Sequence, residues 1–199
     1  MKILIAGDSF SADWSKKYPA CAGWPNVLSN NYQITNLSQA GCSEYKIYLQ
    51  LTSVDLTLYD AIIVSHTSPY RWYVKDHPVY AKDQLHNASD LIYNDVVAHL
   101  PDMPELEPIV IFFEKYFDLE YANFVHNLIC AKIETLIPTA VRVMHIQNFD
   151  SAGMHQFKNV MDFYPTFQSH PGLINHYSDR GNKVVVNQLT HWLDNNDNL

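Results

Sequence analysis

Short apolar runs, each stopped by a polar or turn residue and separated from the next by a stretch of helical pattern, restrict this chain's fold most. The first is "MKILIAGDSF", in which Ile3, Leu4, Ile5 and Ala6 follow one another without a polar break and end in Gly7-Asp8-Ser9. A strand with one wet face alternates polar and apolar residues, whereas an uninterrupted run belongs in a parallel sheet covered on both faces. Runs of this kind predict strands at Lys2 to Ala6, Tyr32 to Leu37, Ala61 to Ser65, Ile109 to Phe113, and Val141 to Ile146. Between them, helices are predicted at Gly23 to Asn30, Glu44 to Val54, Gln84 to Leu100, Leu119 to Leu136, and Asp179 to Asp194. Alternating strands and helices give βαβ units with right-handed crossovers. The expected fold is therefore one α/β domain over residues 1–199, a three-layer α/β/α sandwich on a parallel sheet of about five strands.

Composition removes several classes of function. With 47% hydrophobic and 17% charged residues the chain has enough apolar material for a packed core. A formal net charge of -8, with no run of Lys or Arg, argues against a nucleic-acid partner. No apolar stretch is long enough to span a bilayer, so no membrane partner is expected, and the first residues do not read as a secretory signal. Cys21, Cys42 and Cys130 are odd in number and lack C-x-x-C spacing. They predict free thiols and a cytoplasmic location. The ten histidines show no recognised ligand spacing, so the expectation is no metal.

The segment from His66 to Pro108 exceeds what a crossover needs, and it is rich in aromatics ("SPYRWYVKDHPVY"). Its proline cluster, "LPDMPELEP", is expected to end a helix and deliver the chain to the fourth strand. Because the insertion leaves the carboxyl end of a strand, where α/β sheets bind ligands, it reads as a pocket wall or as an outlying mini-core. His66, Arg71 and Trp72 are its candidate substrate-binding residues, with Arg71 suited to an anionic group.

Four stretches carry candidate chemistry: "GDSFS", "NLSQAGCSEY", "VSHTSPYR" and "INHYSDRGNKVVVNQL". Singly, Ser9 reads as a helix cap, Gly41 as a turn residue and His176 as a loop histidine. In this order and spacing the set resembles the SGNH (GDSL) hydrolase family, from Gly7 to His176. The resemblance implies sheet order 2-1-3-4-5, Ser9 as nucleophile and His176 as its base. It also implies an oxyanion hole built from the backbone N–H groups of Ser9 and Gly41. The chemistry is coherent: a serine hydroxyl needs an adjacent base, and a tetrahedral intermediate needs donors aimed at its oxygen. Ser9 is read as opening a helix whose positive amino end favours an anion.

Two positions depart from the family pattern. Its usual oxyanion asparagine is absent from "SHTSPYR", leaving Thr67 or Ser68 as hydroxyl donors, with His66 or Arg71 as further candidates. The aspartate that normally precedes the histidine by three residues is Leu173 here. A Ser–His dyad is thus expected, with a backbone carbonyl, Asp162 or His170 orienting the imidazole. Asp8 is read as a turn-former and Asp179 as the cap of the last helix. Cys42, beside Gly41, is a rival nucleophile. The implied activity is hydrolysis of an acyl ester, with acetyl as the candidate group and a carbohydrate as the candidate carrier. A small-molecule or glycan ester is the expected partner, and no cofactor is required. An acyltransferase using a sugar hydroxyl, or a binding module that has lost catalysis, are the alternatives. Oligomeric state is not readable from the sequence.

Overall fold

The computed structural model describes residues 1–150, 153–172 and 176–195. Its centre is a five-stranded, all-parallel sheet in the order 2-1-3-4-5, formed by β1 (Lys2–Gly7), β2 (Gln33–Asn36), β3 (Ala61–His66), β4 (Arg142–Gln147) and β5 (Val160–Asp162). The uninterrupted apolar runs lie where both faces are covered. Residues Ile3 to Ala6 and Ala61 to Val64 have no exposed surface.

Alternation along those strands divides the core in two. Ile3, Ile5, Ala61, Ile63, Met144 and Ile146 face one side, against α1 (Trp24–Leu28) and α7 (Asp179–Asp194) through Trp24, Leu28, Val185, Leu189 and Trp192. Leu4, Ala6, Ile62 and Val64 face the other, against α2 (Glu44–Thr52) and α5 (Leu119–Leu136) through Ile47, Leu51 and Ile133. A short α6 (Tyr164–Ser169) leads from β5 toward α7. The expected layers and strand order are observed, and no helix among the described residues is long and apolar enough to cross a membrane.

Two elements differ from the sequence reading. Residues Ile109 to Phe113 are not a strand; they lie within α4 (Glu107–Lys115). Pro104 and Pro108 sit in first-turn positions, where their missing N–H is not needed. Leu106, Val110 and Phe113 then fall on one helical face and pack with Leu91 and Val96 in a satellite core. The prolines therefore start a helix rather than deliver a strand. The predicted Gln84 to Leu100 helix shortens to α3 (Tyr93–His99), because residues 84–92 run back to pair Leu91 with Trp72 in an antiparallel bridge. The fifth strand is the three-residue β5, whose exposed edge leaves no apolar run to read.

Gly7 fixes how closely β1 approaches β3 where the chain leaves the sheet. It pairs with Ser65, and a Cβ at this position would lie 2.4 Å from Ser11 Oγ, 2.6 Å from Ser65 Cβ and 2.7 Å from the Ser65 carbonyl oxygen. The serine hydroxyl can rotate, but the backbone of a central strand cannot. Gly7→Ala is expected to lower stability by about 2 kcal/mol through overpacking, read as a reduced urea midpoint. An unchanged midpoint would show that the turn relaxes freely.

Candidate active site

Beyond Gly7 the chain closes a tight turn rather than a helix. Asp8 is fully buried, its Oδ1 accepts the Phe10 N–H at 3.0 Å, and its carbonyl accepts the Ser11 N–H at 3.1 Å. Ser9 stands at the head of this turn, 7% exposed. Among the described residues, the first helix after Ser9 is a single 3₁₀ turn over Trp14–Lys16, capped by Asp13. The helix dipole expected at Ser9 is therefore absent, because Asp8 and Ser11 close the turn before a helix can begin. Asp8 is the turn-former the sequence predicted.

The second loop brings Gly41 to the same end of the sheet. Its φ of 77° is left-handed, and a Cβ would lie 2.3 Å from Ser89 Oγ, so only glycine fits both the backbone and the space. The aromatic insertion holds this loop from outside. Asp90 N–H donates to the Gly41 carbonyl at 3.0 Å, and the Asp90 carboxylate accepts the Ser43 N–H at 2.6 Å and pairs with Lys46 at 2.9 Å. Cys42 is buried, and burial beside Asp8 pushes its thiol far up. A buried thiol with its Sγ 3.4 Å from the Gly7 carbonyl has the setting of a packing group, which argues against the rival-nucleophile reading of Cys42.

Arg71 connects these loops to the third. Its Nη2 lies 3.2 Å from Asp8 Oδ2 and its Nη1 donates to the Cys42 carbonyl at 3.4 Å. Both side chains of the ion pair are buried, 8% exposed for Arg71 and none for Asp8. Burial raises the Asp8 carboxyl to about 6, against the opposing pull of Arg71. Thr67 is buried next to Asp8, and its N–H donates to Glu44 Oε2 at 3.2 Å; Ser68 is half-buried.

His176 comes from the last loop. Its ring centroid lies 3.9 Å from the Trp14 indole and 5.5 Å from the Phe10 ring, while Trp14 Nε1 donates to the Ser9 carbonyl at 2.8 Å. Ser9 and His176 therefore share one neighbourhood at the carboxyl end of the sheet. Pro171 and Tyr177 form an antiparallel bridge that closes this loop, and Tyr177 Oη donates to Asn148 Oδ1 at 2.5 Å. Beside it, a cavity of about 120 Å³ is lined by Phe10, Trp14, Cys21, Gly23, His176 and Asn182. Leu173 lies outside the described residues. The cap of α7 is Ser178, whose hydroxyl accepts the Gly181 N–H, rather than Asp179, which occupies the next position.

Other predicted residues lie further from Ser9. His66 is buried, with Nδ1 at 2.7 Å from Glu44 and Nε2 at 2.9 Å from His145, so it faces the layer under α5. Trp72 packs on Phe112 in the satellite core. With Arg71, Tyr73 and Tyr121 it also lines a second cleft of about 340 Å³. Asp162 accepts the Tyr164 N–H at 2.9 Å, and the His170 carbonyl accepts the Ser178 N–H at 2.9 Å.

Glu44, Trp14 and Asn148 were missed as contributors to the site. Asn148 directly follows β4, a strand end that the sequence reading left unsearched. Glu44 gives no signal, because an acidic residue in a helix's first turn ordinarily points to water.

No protein-family model and no curated protein matches the chain. Among solved structures it is similar to the lipase Lip_vut3 from a goat rumen metagenome, with a TM-score of 0.48 and 13% identity over 96% of each chain. It is also similar to a protein from Desulfitobacterium hafniense DCB-2 assigned to the G-D-S-L family of lipolytic proteins. There the TM-score is 0.44 and the identity 12%, over 96% of this chain and 98% of the other.

The Asp8–Arg71 pair yields a pH-dependent prediction. A carboxyl raised in the fold binds its proton more tightly there than in the unfolded chain. Asp8 therefore favours the fold increasingly as pH falls from 6 toward its ordinary value of 3.8. At pH 8 Arg71→Met strands a buried carboxylate and is expected to cost about 3 kcal/mol. At pH 5 most Asp8 is already protonated and the cost should shrink. Urea unfolding of both proteins at both pH values tests this; an equal penalty would show that Asp8 is not the group Arg71 serves.

Proposed function

We infer that the protein is a serine ester hydrolase of the SGNH type. Ser9 Oγ attacks the ester carbonyl, His176 accepts the serine proton and returns it to the leaving alcohol, and water then releases the acyl group. The tetrahedral oxyanion is held by the N–H groups of Ser9 and Gly41, with Thr67 or Ser68 adding a hydroxyl. The observation that carries this reading is the meeting of the Gly7-Asp8-Ser9 turn, the left-handed Gly41 and His176 at one end of one sheet, although they come from opposite ends of the chain. Among the described residues no protein acceptor takes the N–H of Ser9 or Gly41, so both are available to an oxyanion.

The 120 Å³ cavity beside His176 is small, which favours a short acyl group such as acetyl. The carrier of that acyl group is open in this reading, with a sugar hydroxyl as the candidate alcohol. The reaction as drawn runs on protein groups throughout.

Short-chain p-nitrophenyl esters and acetylated sugars provide the test. Ser9→Ala should abolish turnover, and His176→Ala should lower kcat by about 10²–10⁴-fold, the usual contribution of a general base. Activity should also fall in acid as the imidazole protonates. Turnover unchanged in either alanine variant would overturn the mechanism. Appearance of acylated product only when a sugar acceptor is added would reassign the same residues to an acyltransferase.

A further inference from the structure

On the opposite face of the sheet from His176 lies a second group of reactive side chains that the ester chemistry leaves unused. Glu44 in the first turn of α2, His66 at the end of β3 and Cys130 in the middle of α5 are all buried. Their donor atoms lie within 4.8 Å of one another. His126 precedes Cys130 by four residues and shares the inward face of α5, and its Nε2 is buried without a hydrogen-bond partner. We propose that Glu44, His66, His126 and Cys130 form a binding site for one divalent metal ion of the zinc class.

Four features support the assignment. The donors are a thiol, two imidazoles and a carboxyl, the set zinc takes, and a His and a Cys four residues apart on one helix can reach a common ion. Zinc–ligand bonds of about 2.0–2.3 Å place tetrahedral donors about 3.3–3.7 Å apart. Glu44, His66 and Cys130 need only modest adjustment to meet that spacing: the Glu44–His66 contact of 2.7 Å opens and the wider separations close, and His126 enters as the fourth donor from one turn earlier on α5. His66 carries an outer-layer partner, since its Nε2 lies 2.9 Å from His145 Nδ1, a contact that holds the orientation of the ring. Finally, the 340 Å³ cleft is lined by Glu44 and His126 and supplies a route in.

Without an ion, burial holds the Cys130 thiol protonated beside Glu44. Metal binding replaces the thiol proton, and whichever proton Glu44 and His66 share, with the cation, and those protons leave to solvent. The bound ion would join α2, β3 and α5 beneath the Thr67 loop, a structural role independent of ester hydrolysis.

Cobalt(II) is the probe, because coordination by a thiolate gives it an intense charge-transfer absorption. Chelator-treated full-length protein titrated with Co²⁺ should develop that band with an endpoint of one equivalent, and Zn²⁺ should displace it. Cys130→Ser should abolish the band, and His126→Ala should weaken binding at least tenfold. Cys21→Ser, a change at a half-buried thiol outside the cluster, should leave it intact. If Cys130→Ser does not fold, Cys130→Ala takes its place, and intact protein should melt at a higher temperature with Zn²⁺ than with chelator. Absence of the band, or its persistence without Cys130, overturns the site, as does a melting temperature that Zn²⁺ leaves unchanged. None of these readouts uses esterase activity.

Discussion

A single guanidinium, Arg71, is the tie on which the candidate site depends. It comes from the loop after β3, pairs with Asp8 in the loop after β1 and reaches the Cys42 carbonyl in the loop after β2. Three loops that a parallel sheet merely brings to one edge are thereby fixed relative to one another. The pair is almost fully buried, so it gains little or nothing in stability over an apolar alternative of the same shape. What it provides is position. A carboxylate immediately before Ser9 and a carbonyl immediately after Gly41 are both held by one rigid, planar, multi-donor group, a role for which lysine lacks the geometry.

The period of two along each strand sends neighbouring residues to separate tasks. On β3, Ser65 faces the α7 side, where its hydroxyl accepts from Asn148, which in turn receives the Tyr177 hydroxyl behind the His176 loop. His66, the next residue, faces α5 and enters the Glu44 and His145 cluster. Two polar groups of residues thus sit back to back across one sheet, separated by the layer of the strands themselves. Glu44 ties the second group to the loop after β3, because it also accepts the Thr67 N–H. The loop proposed to complete the oxyanion hole therefore donates one hydrogen bond to the layer under α5.

Much of the architecture was legible because burial on both faces leaves an unmistakable trace. β1 and β3 read as continuous apolar runs, and the long amphipathic α5 and α7 matched their predicted spans. The run at Ile109 to Phe113 misled because five apolar residues satisfy a buried strand and a helix face equally, and the prolines before it fitted either reading. β5 is too short and too exposed to leave a pattern. In the candidate site, Gly7, Ser9, Gly41 and His176 were visible as local motifs. Glu44, His126 and Cys130 are separated along the chain and acquire meaning only once α2 and α5 lie on the same side of β3. Trp14, read as one aromatic among many, proves to be the ring that packs most closely on His176.

That packing bears on how well His176 can serve as a base. Two constraints act on a catalytic imidazole: neighbours that hold the plane of the ring, and a partner at the far nitrogen that holds the tautomer and stabilises the positive charge formed in the reaction. Trp14 and Phe10 supply the first. The second constraint weighs more: where a serine hydrolase keeps its geometry but loses the carboxylate's charge, the rate falls on the order of 10⁴-fold. Whatever group meets the far nitrogen therefore matters more to the proton transfer proposed for His176 than the rings that hold its plane.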